Sequence, residues 1–466
     1  METEMAAQEA VHALREALGS QVVQLPEEFG DRRVVDWSGL PGGVPLAVIR
    51  PRDTAEVAKA LHICSEHGQP VVTQGGLTGL VGGANVQGGE VAISLDRMNK
   101  IVEIDPVSST MTVEAGTPLQ VVQEAATAAG FYFPLDLGAR GSCSIGGNLA
   151  TNAGGNRVIK YGMMRDQVLG LEAVLASGKV IGGLNKMIKD NSGYDLRHLL
   201  IGSEGTLAII TRAVLRLRPK PTATATAWCG LPSYEAVTTL LSRAQARLAP
   251  GVSAFEVMWK GYYDAVLANL DTLRAPLDEA HPFYVLLESV GTDPVRHADA
   301  FEEFLGQMLE AGVVSDAALA SSDSQALAFW AIRDAPGEYQ RFIPNHAAYD
   351  VSFSIAQVGE AAQRCDVRLR ERWPDAIVMI YGHLGDGNIH VVVDVPGMGK
   401  HDHDEIDDVI YDVTRDLQGS ISAEHGIGTK KKHFLHFTRS DNDIESMRAI
   451  KSALDPHGLL NPGKVF

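Results

Sequence analysis

Pro70-Val-Val-Thr-Gln-Gly-Gly-Leu-Thr-Gly-Leu-Val-Gly-Gly-Ala84 is an apolar, strand-like run that opens into five glycines, and its reading decides the fold. Glycine has no Cβ, so it accepts positive φ and lets backbone amides approach a bound group closely, which suits a pyrophosphate cradle. No Gly-Lys-Ser/Thr follows, so this is not a Walker loop, and no helical pattern starts at its end as a Rossmann fingerprint requires. Taken alone, such a loop is more often a cluster of turns. A second loop, Gly138-Ala-Arg-Gly-Ser-Cys-Ser-Ile-Gly-Gly-Asn-Leu-Ala-Thr-Asn-Ala-Gly-Gly155, is dense in glycine and small donors. Two such loops in one domain can embrace an elongated anionic cofactor from both sides. A third stretch, Ile201-Gly-Ser-Glu-Gly-Thr-Leu-Ala-Ile-Ile210, sets Glu204 and Thr206 ahead of a buried strand. Glu204 there also reads as a turn carboxylate that caps backbone amides.

Around these loops strands and helices alternate. Residues 46–49 read as a short buried strand. Asp53, with Glu56 three residues on, predicts a capping box that opens a helix with Val57, Ala60, Leu61 and Cys64 on its apolar face, ended by Gly68. Residues 110–114 read as extended, followed by Thr117 as N-cap, Pro118 at the first helical position and Gly130 as terminator. Further strands are expected over residues 171–175, 180–181 and 207–215. Pro219 and Pro221 then interrupt the pattern and mark a domain boundary. The expectation is an α+β chain: a helical arm over residues 1–41, a cofactor domain over 42–220 and a mixed α/β domain over 221–466, with strands at 283–287 and 377–380.

A chain of 466 residues exceeds what one core usually supports, which agrees with two or more packed units. The balance of 40 basic against 58 acidic residues, a net charge of -18, opposes a nucleic-acid or anionic-membrane partner. Cys64, Cys143, Cys229 and Cys365 form no Cys-x-x-Cys pair, so neither a disulfide framework nor an iron–sulfur cluster is expected, and a reducing cytoplasm suits them. The charged, Ala-rich N-terminus has no secretory h-region, and no run of about 18 apolar residues predicts a transmembrane segment.

Tyr381-Gly-His-Leu-Gly-Asp-Gly-Asn-Ile-His-Val391 reads as strand, glycine-rich turn and strand, a pattern that can bring His383 and His390 toward one point. Later comes Ser422-Ala-Glu-His-Gly-Ile-Gly428. Two imidazoles and a carboxylate make a three-ligand site for zinc or a similar divalent ion, with room left for substrate. A histidine taken singly is more often structural than ligating. The run His401-Asp-His-Asp-Glu405 is a rival cluster, although its dense charge suits a solvated helix start.

The three glycine loops, in this order and spacing, resemble the FAD-binding domain of the vanillyl-alcohol-oxidase-type flavoproteins, in particular the branch that oxidises D-lactate, glycolate and D-2-hydroxyglutarate. The similarity runs from about Val44 to Phe466 and is strongest to the D-2-hydroxyglutarate dehydrogenase subgroup, through Pro134-Leu-Asp-Leu-Gly-Ala and Asn152-Ala-Gly-Gly155. The resemblance implies a two-subdomain FAD-binding domain, then a mixed α/β substrate (cap) domain and a short C-terminal helical segment. It implies that Gln74, Gly75, Gly76, Thr78 and Gly79 hold the diphosphate, that Gly146, Gly147, Asn148, Thr151 and Asn152 line the flavin, and that Glu204 and Ile209 lie at the cofactor. It further implies His383, His390 and Glu424 as metal ligands, His425 as catalytic base, and Arg333, in Phe329-Trp-Ala-Ile-Arg-Asp334, as the clamp on the substrate C1 carboxylate. The plainer alternative for Arg333 is a surface arginine paired with Asp334. Zinc is the first expectation for the metal and manganese the second. Relatives with covalent FAD place a histidine near the first loop; residues 73–84 contain none, so the FAD is expected to be non-covalent.

Against the subgroup, a threonine is replaced by Gly337, a lysine by Ala348 and an asparagine by Val392. All three changes remove polar function that a second substrate carboxylate would need, so an apolar or small D-2-hydroxy acid such as D-lactate is expected over D-2-hydroxyglutarate. Arg341 and His346 are the residues at hand to compensate. The electron acceptor, an electron-transfer flavoprotein or a quinone reached peripherally at a membrane, stays open, as does the oligomeric state, a homodimer included. A metal hydrolase would leave the glycine loops unexplained; a substrate-less flavin electron carrier and a nicotinamide-dependent flavin reductase are the other rivals.

Overall fold

Val71–Gln74, the strand that feeds the first glycine loop, lies at the edge of a four-stranded sheet ordered Val23–Gln24, Val48–Ile49, Val91–Ser94, Val71–Gln74. The last three strands run parallel to one another. Val48, Val71, Val72, Ala92 and Ile93 are fully buried, as expected for a parallel sheet covered on both faces, and this is why the run shows no polar alternation. The structure is a computed structural model that describes residues 2–399 and 403–466; His401 and Asp402 of the rival cluster lie outside them.

By internal contacts the chain divides into two units, one made of Met1–Gly154, Met163–Lys220 and Glu424–Phe466, the other of Gly155–Gly162 and Pro221–Ala423. The first holds a second, antiparallel sheet in the order Ile101–Asp105, Thr110–Glu114, Ile209–Arg216, Val168–Val174, Val180–Gly183. The two sheets are its two subdomains.

The helices follow local chemistry with two differences from expectation. Asp53 caps Thr54–Glu66 by accepting the Glu56 amide at 2.9 Å, but the Glu56 carboxylate takes the Arg52 amide at 2.7 Å, one residue before a true box. The next helix is Leu119–Ala128 with Pro118 itself as N-cap at ψ 143°, while the Thr117 hydroxyl donates to the Lys100 carbonyl at 3.3 Å. Proline at an extended ψ starts the helix one residue late.

Residues 424–466, expected with the C-terminal domain, cluster with the first unit instead. Main-chain pairing is the physical reason. Leu460 bridges Val71 in parallel, the Val71 amide donates to the Leu459 carbonyl and the Asn461 amide to the Val71 carbonyl, both at 2.8 Å. The Asn461 side chain accepts from the Thr73 amide at 2.9 Å and donates to the Glu204 carbonyl at 2.6 Å. The returning chain therefore covers the open edge of the sheet at the strand that leads into the glycine loop.

The second unit is built on a seven-stranded sheet ordered Asp316–Leu319, Ala223–Leu231, Phe283–Gly291, Val252–Trp259, Ile377–His383, Asn388–Asp394, Ala347–Ser352. Every neighbouring pair is antiparallel. The strands expected at 283–287 and 377–380 run on to Gly291 and His383. One face buries Trp228, Met258, Tyr262, Tyr284, Phe329, Met379, Tyr381 and Val392 in a single apolar cluster. Gly155–Gly162 joins this unit through Arg157, whose guanidinium pairs with Glu288 and lies 4.8 Å over the Trp330 ring. Among the described residues no helix is long and apolar enough to cross a membrane.

Replacing Asn461 by Ala removes two partly buried hydrogen bonds and leaves a φ of 44° that alanine rarely adopts. The expected cost is about 2 kcal/mol, read as a lower urea midpoint with an unchanged slope.

Candidate active site

Within the first unit the glycine loop offers donors that the protein does not use. Among the described residues, no backbone N–H of residues 75–84 donates a hydrogen bond to another protein group. The glycines also make room for the second loop: a Cβ on Gly76 would sit 1.9 Å from the Ser142 carbonyl oxygen and one on Gly75 2.5 Å from Ser144 Oγ. Gln74 closes the loop, its Nε2 donating to the Val34 and Ala84 carbonyls at 3.0 Å each. Its Oε1 and the Nδ2 of buried Asn148 have no protein partner. Idle amides and orphaned buried amide atoms are what an anionic dinucleotide with a polar ring system would satisfy, so these residues fit FAD.

The remaining residues expected at the cofactor are more occupied. The Gly146 amide donates to the Ala115 carbonyl at 2.6 Å and the Gly147 amide to Ser144 Oγ at 3.4 Å. Thr151 Oγ1 donates to the Gly147 carbonyl at 3.3 Å, and Asn152, at φ 50°, accepts the Arg165 amide at 2.9 Å. The Gly79 carbonyl takes the Trp37 amide, and Ile209 is buried opposite Val174. Glu204, at φ 52°, accepts the amides of Ile427 and Gly428 at 2.8 Å each, the capping role that its turn position also suggested. Burial raises its pKa despite these two donors.

The second candidate region grows out of the register of the seven-stranded sheet. Glu256 pairs with His383, Met258 with Tyr381, Tyr381 with His390, and His390 with Asp350. Directly paired residues in an antiparallel sheet point to the same face, so all of these side chains share one face. The turn Leu384–Asp386 and Gly387, at φ 80°, reverse the chain between the two histidine strands. The His383 and His390 rings meet at 5.3 Å between centroids. Asp350, fully buried, accepts the Ala423 amide at 3.1 Å, which fixes the residue before Glu424. His383 and His390 thus bring two imidazoles together on one face of the sheet, and Glu424, the third expected ligand, belongs to the first unit. Paired imidazole nitrogens fit a divalent cation such as zinc. His425 follows directly in the chain and is half-buried.

Arg333 ends the helix Asp323–Arg333 and is buried, which removes the surface-arginine alternative. Its Nε donates to Glu256 Oε2 at 2.7 Å, Nη1 lies 3.3 Å from Asp334, and Nη2 lies 3.1 Å from His383 Nε2. His383 Nδ1 lies 2.9 Å from Glu256. Burial alone would raise the Glu256 pKa, but His383 and Arg333 hold it at about 2. Glu256 and Asp350 were not singled out from sequence. The available signal was a lone charge inside a mostly apolar strand, Val252–Trp259, since such a group is buried only when paired.

Of the three substituted positions, Ala348 and Val392 face each other across the ladder, and Val392 packs into the apolar cluster. A Cβ on Gly337 would meet nothing within 4 Å. Arg341 is exposed and paired with Glu338 at 2.8 Å, and His346 Nδ1 contacts the Ile343 carbonyl at 2.7 Å.

Comparison with known proteins agrees with this architecture. Residues 45–182 match the FAD binding domain family and residues 220–465 the family of FAD linked oxidases, C-terminal domain. Among curated relatives, D-2-hydroxyglutarate dehydrogenase of Xanthomonas citri pv. viticola is 40% identical, covering 98% of this chain and 96% of that one. The mitochondrial enzyme of the same name from Arabidopsis thaliana is 39% identical, covering 98% and 81%. D-2-hydroxyglutarate–pyruvate transhydrogenase of Saccharomyces cerevisiae is 34% identical, covering 95% and 90%. The solved structure of p-cresol methylhydroxylase shares the fold at a TM-score of 0.77 and 18% identity, covering 99% and 96%. The chain belongs to the FAD-linked oxidases. It is accordingly an FAD-dependent oxidoreductase with the two-subdomain flavin-binding fold of the vanillyl-alcohol-oxidase type.

Gly76→Ala drives a Cβ into the Ser142 carbonyl, whereas Gly83→Ala meets only Glu204 Oε2, at 3.9 Å. The first variant is expected to lose about 1–3 kcal/mol of stability and most of its flavin, the second to keep both. Flavin-to-protein absorbance ratios and urea midpoints check the pair.

Proposed function

We propose that this protein oxidises a D-2-hydroxy acid to the 2-oxo acid, with a divalent cation held by His383, His390 and Glu424. The observation that carries the reading is the meeting of the His383 and His390 rings, 5.3 Å apart between centroids, with the buried guanidinium of Arg333 at His383. A cation site beside a guanidinium suits a substrate that carries a hydroxyl next to a carboxylate. The relatives named for D-2-hydroxyglutarate support the same class.

When bound, FAD supplies the two-electron sink, and the cation supplies Lewis acidity that favours loss of the hydroxyl proton. The residues of the chain do the rest. Arg333 holds the C1 carboxylate: its Nε edge is anchored at 2.7 Å, but its terminal nitrogens make only contacts of 3.1–3.3 Å, long for charge-assisted bonds, and keep donor capacity for an anion. His425 takes the hydroxyl proton on an imidazole nitrogen, a role that neutral histidine fills near pH 7. Gln74, Gly75, Gly76, Thr78 and Gly79 bind the diphosphate, and Gly146, Gly147, Asn148, Thr151 and Asn152 line the flavin, which is held without a covalent bond.

For the side chain beyond C2 the reading favours small or apolar substrates, D-lactate among them. Gly337, Ala348 and Val392 offer no polar group to a second carboxylate, and Arg341 is already paired at the surface. A second reading, D-2-hydroxyglutarate itself, is favoured by the names of the relatives.

Anaerobic mixing with a panel of D- and L-2-hydroxy acids is expected to bleach the flavin with D-monocarboxylates, to fail after chelation, and to recover with Zn2+ or Mn2+. A higher kcat/KM for D-2-hydroxyglutarate than for D-lactate and bulkier monocarboxylates would select the second reading. No bleaching by any 2-hydroxy acid would overturn both. Acid precipitation is expected to leave the flavin in the supernatant.

A further inference from the structure

We infer that Glu256 is a positioning residue that sets both the ligand nitrogen of His383 and the orientation of Arg333. The inference rests on the function proposed above and assigns a role to a residue outside the expected ligand and substrate sets.

The geometry is that of one carboxylate shared between two functional groups. Glu256 is 1% exposed, in the middle of the sheet, directly across the ladder from His383. One oxygen takes Arg333 Nε at 2.7 Å, and His383 Nδ1 lies 2.9 Å from the carboxylate. An ionised carboxylate only accepts hydrogen bonds, so the proton of a neutral His383 resides on Nδ1. Nε2 is thereby left with its lone pair, the atom that a cation requires. Arg333 Nη2 lies 3.3 Å from Nδ1 and 3.1 Å from Nε2, so it sits against the ring and not along the Nε2 lone pair. A carboxylate behind a ligating histidine fixes both tautomer and ring orientation and makes the imidazole a better donor.

The Arg333 contact has a separate consequence. A guanidinium held by its Nε edge has its plane fixed and presents its terminal nitrogens in one direction. Asp334 cannot substitute for Glu256 here, because it pairs with Nη1 at 3.3 Å and its side chain is 51% exposed. The strand Val252–Trp259 thus sets the aim of a residue that ends a helix far along the chain. A carboxylate placed only to neutralise Arg333 would not need to face the ladder partner that bears a ligand.

The test uses the full chain loaded with flavin. Cation affinity is measured by competition with a chromophoric chelator, and KM and kcat are measured with the best D-2-hydroxy acid, for wild type, Glu256→Gln and Glu256→Asp. Glu256→Gln is expected to bind Zn2+ about 10–100-fold more weakly. Its KM should rise more than its kcat falls, with flavin content unchanged. Glu256→Asp keeps the buried charge, so it remains informative if the glutamine variant does not fold; it is expected to recover part of the cation affinity. Wild-type Zn2+ affinity and KM in Glu256→Gln, or in Glu256→Asp where the glutamine variant does not fold, would overturn the role of Glu256 while leaving the proposed function standing. A wild-type protein that takes up no cation would overturn the proposed function itself, and this inference with it.

Discussion

A carboxylate withdrawn from water must find positive charge or N–H donors, and this requirement organises both units. Glu204 meets it with the amides of Ile427 and Gly428. Glu256 meets it with Arg333 and His383, and Asp350 with the Ala423 amide. Each of the three ties together segments far apart in sequence. Breaking a buried ion pair by removing one partner typically costs about 3–5 kcal/mol, more than a single apolar contact supplies. Where these carboxylates lie, the backbone has little freedom to drift. His383 and Arg333 are held at one of those points.

The division of labour between the units follows from the two kinds of sheet. The parallel strands of the first are buried on both faces, so their chemistry sits in the loop that leaves a strand end, where residues 75–84 keep their amides unengaged. The antiparallel sheet of the second carries its chemistry on one face. Glu256, His383, His390 and Asp350 are brought into line by register alone, and the apolar cluster of Trp228, Tyr284, Met379 and Val392 continues the same side. A backbone cradle suits a dinucleotide recognised through its phosphates. A rigid array of side chains suits a small substrate whose few atoms must be held at fixed angles.

Much of this was legible in the sequence because glycine spacing and proline punctuation act locally. The loops at Gly75 and Gly146, the break at Pro221 and the convergence of His383 with His390 all follow from short-range patterns. Three features did not, each for a long-range reason. Glu256 lies in an apolar strand whose partner strand begins more than a hundred residues later, so nothing nearby explains its charge. Residues 155–162 leave one unit for the other because Arg157 finds Glu288, which no local pattern announces. The return of residues 424–466 depends on an open edge at Val71, visible only once the sheet order is known. Thr117 failed as a cap for a local reason, since the extended ψ of Pro118 moves the helix start.

That return sets the order in which the protein can be completed during synthesis. The strand Val71–Gln74 emerges from the ribosome long before its edge partner at Leu460. Until that partner is made, the first unit has an exposed sheet edge next to its glycine loop, a surface open to mispairing. The second unit has all of its strands between Ala223 and Asp394, so it can pair them while the chain is still growing. The flavin-binding unit, although begun before the second, is therefore finished after it.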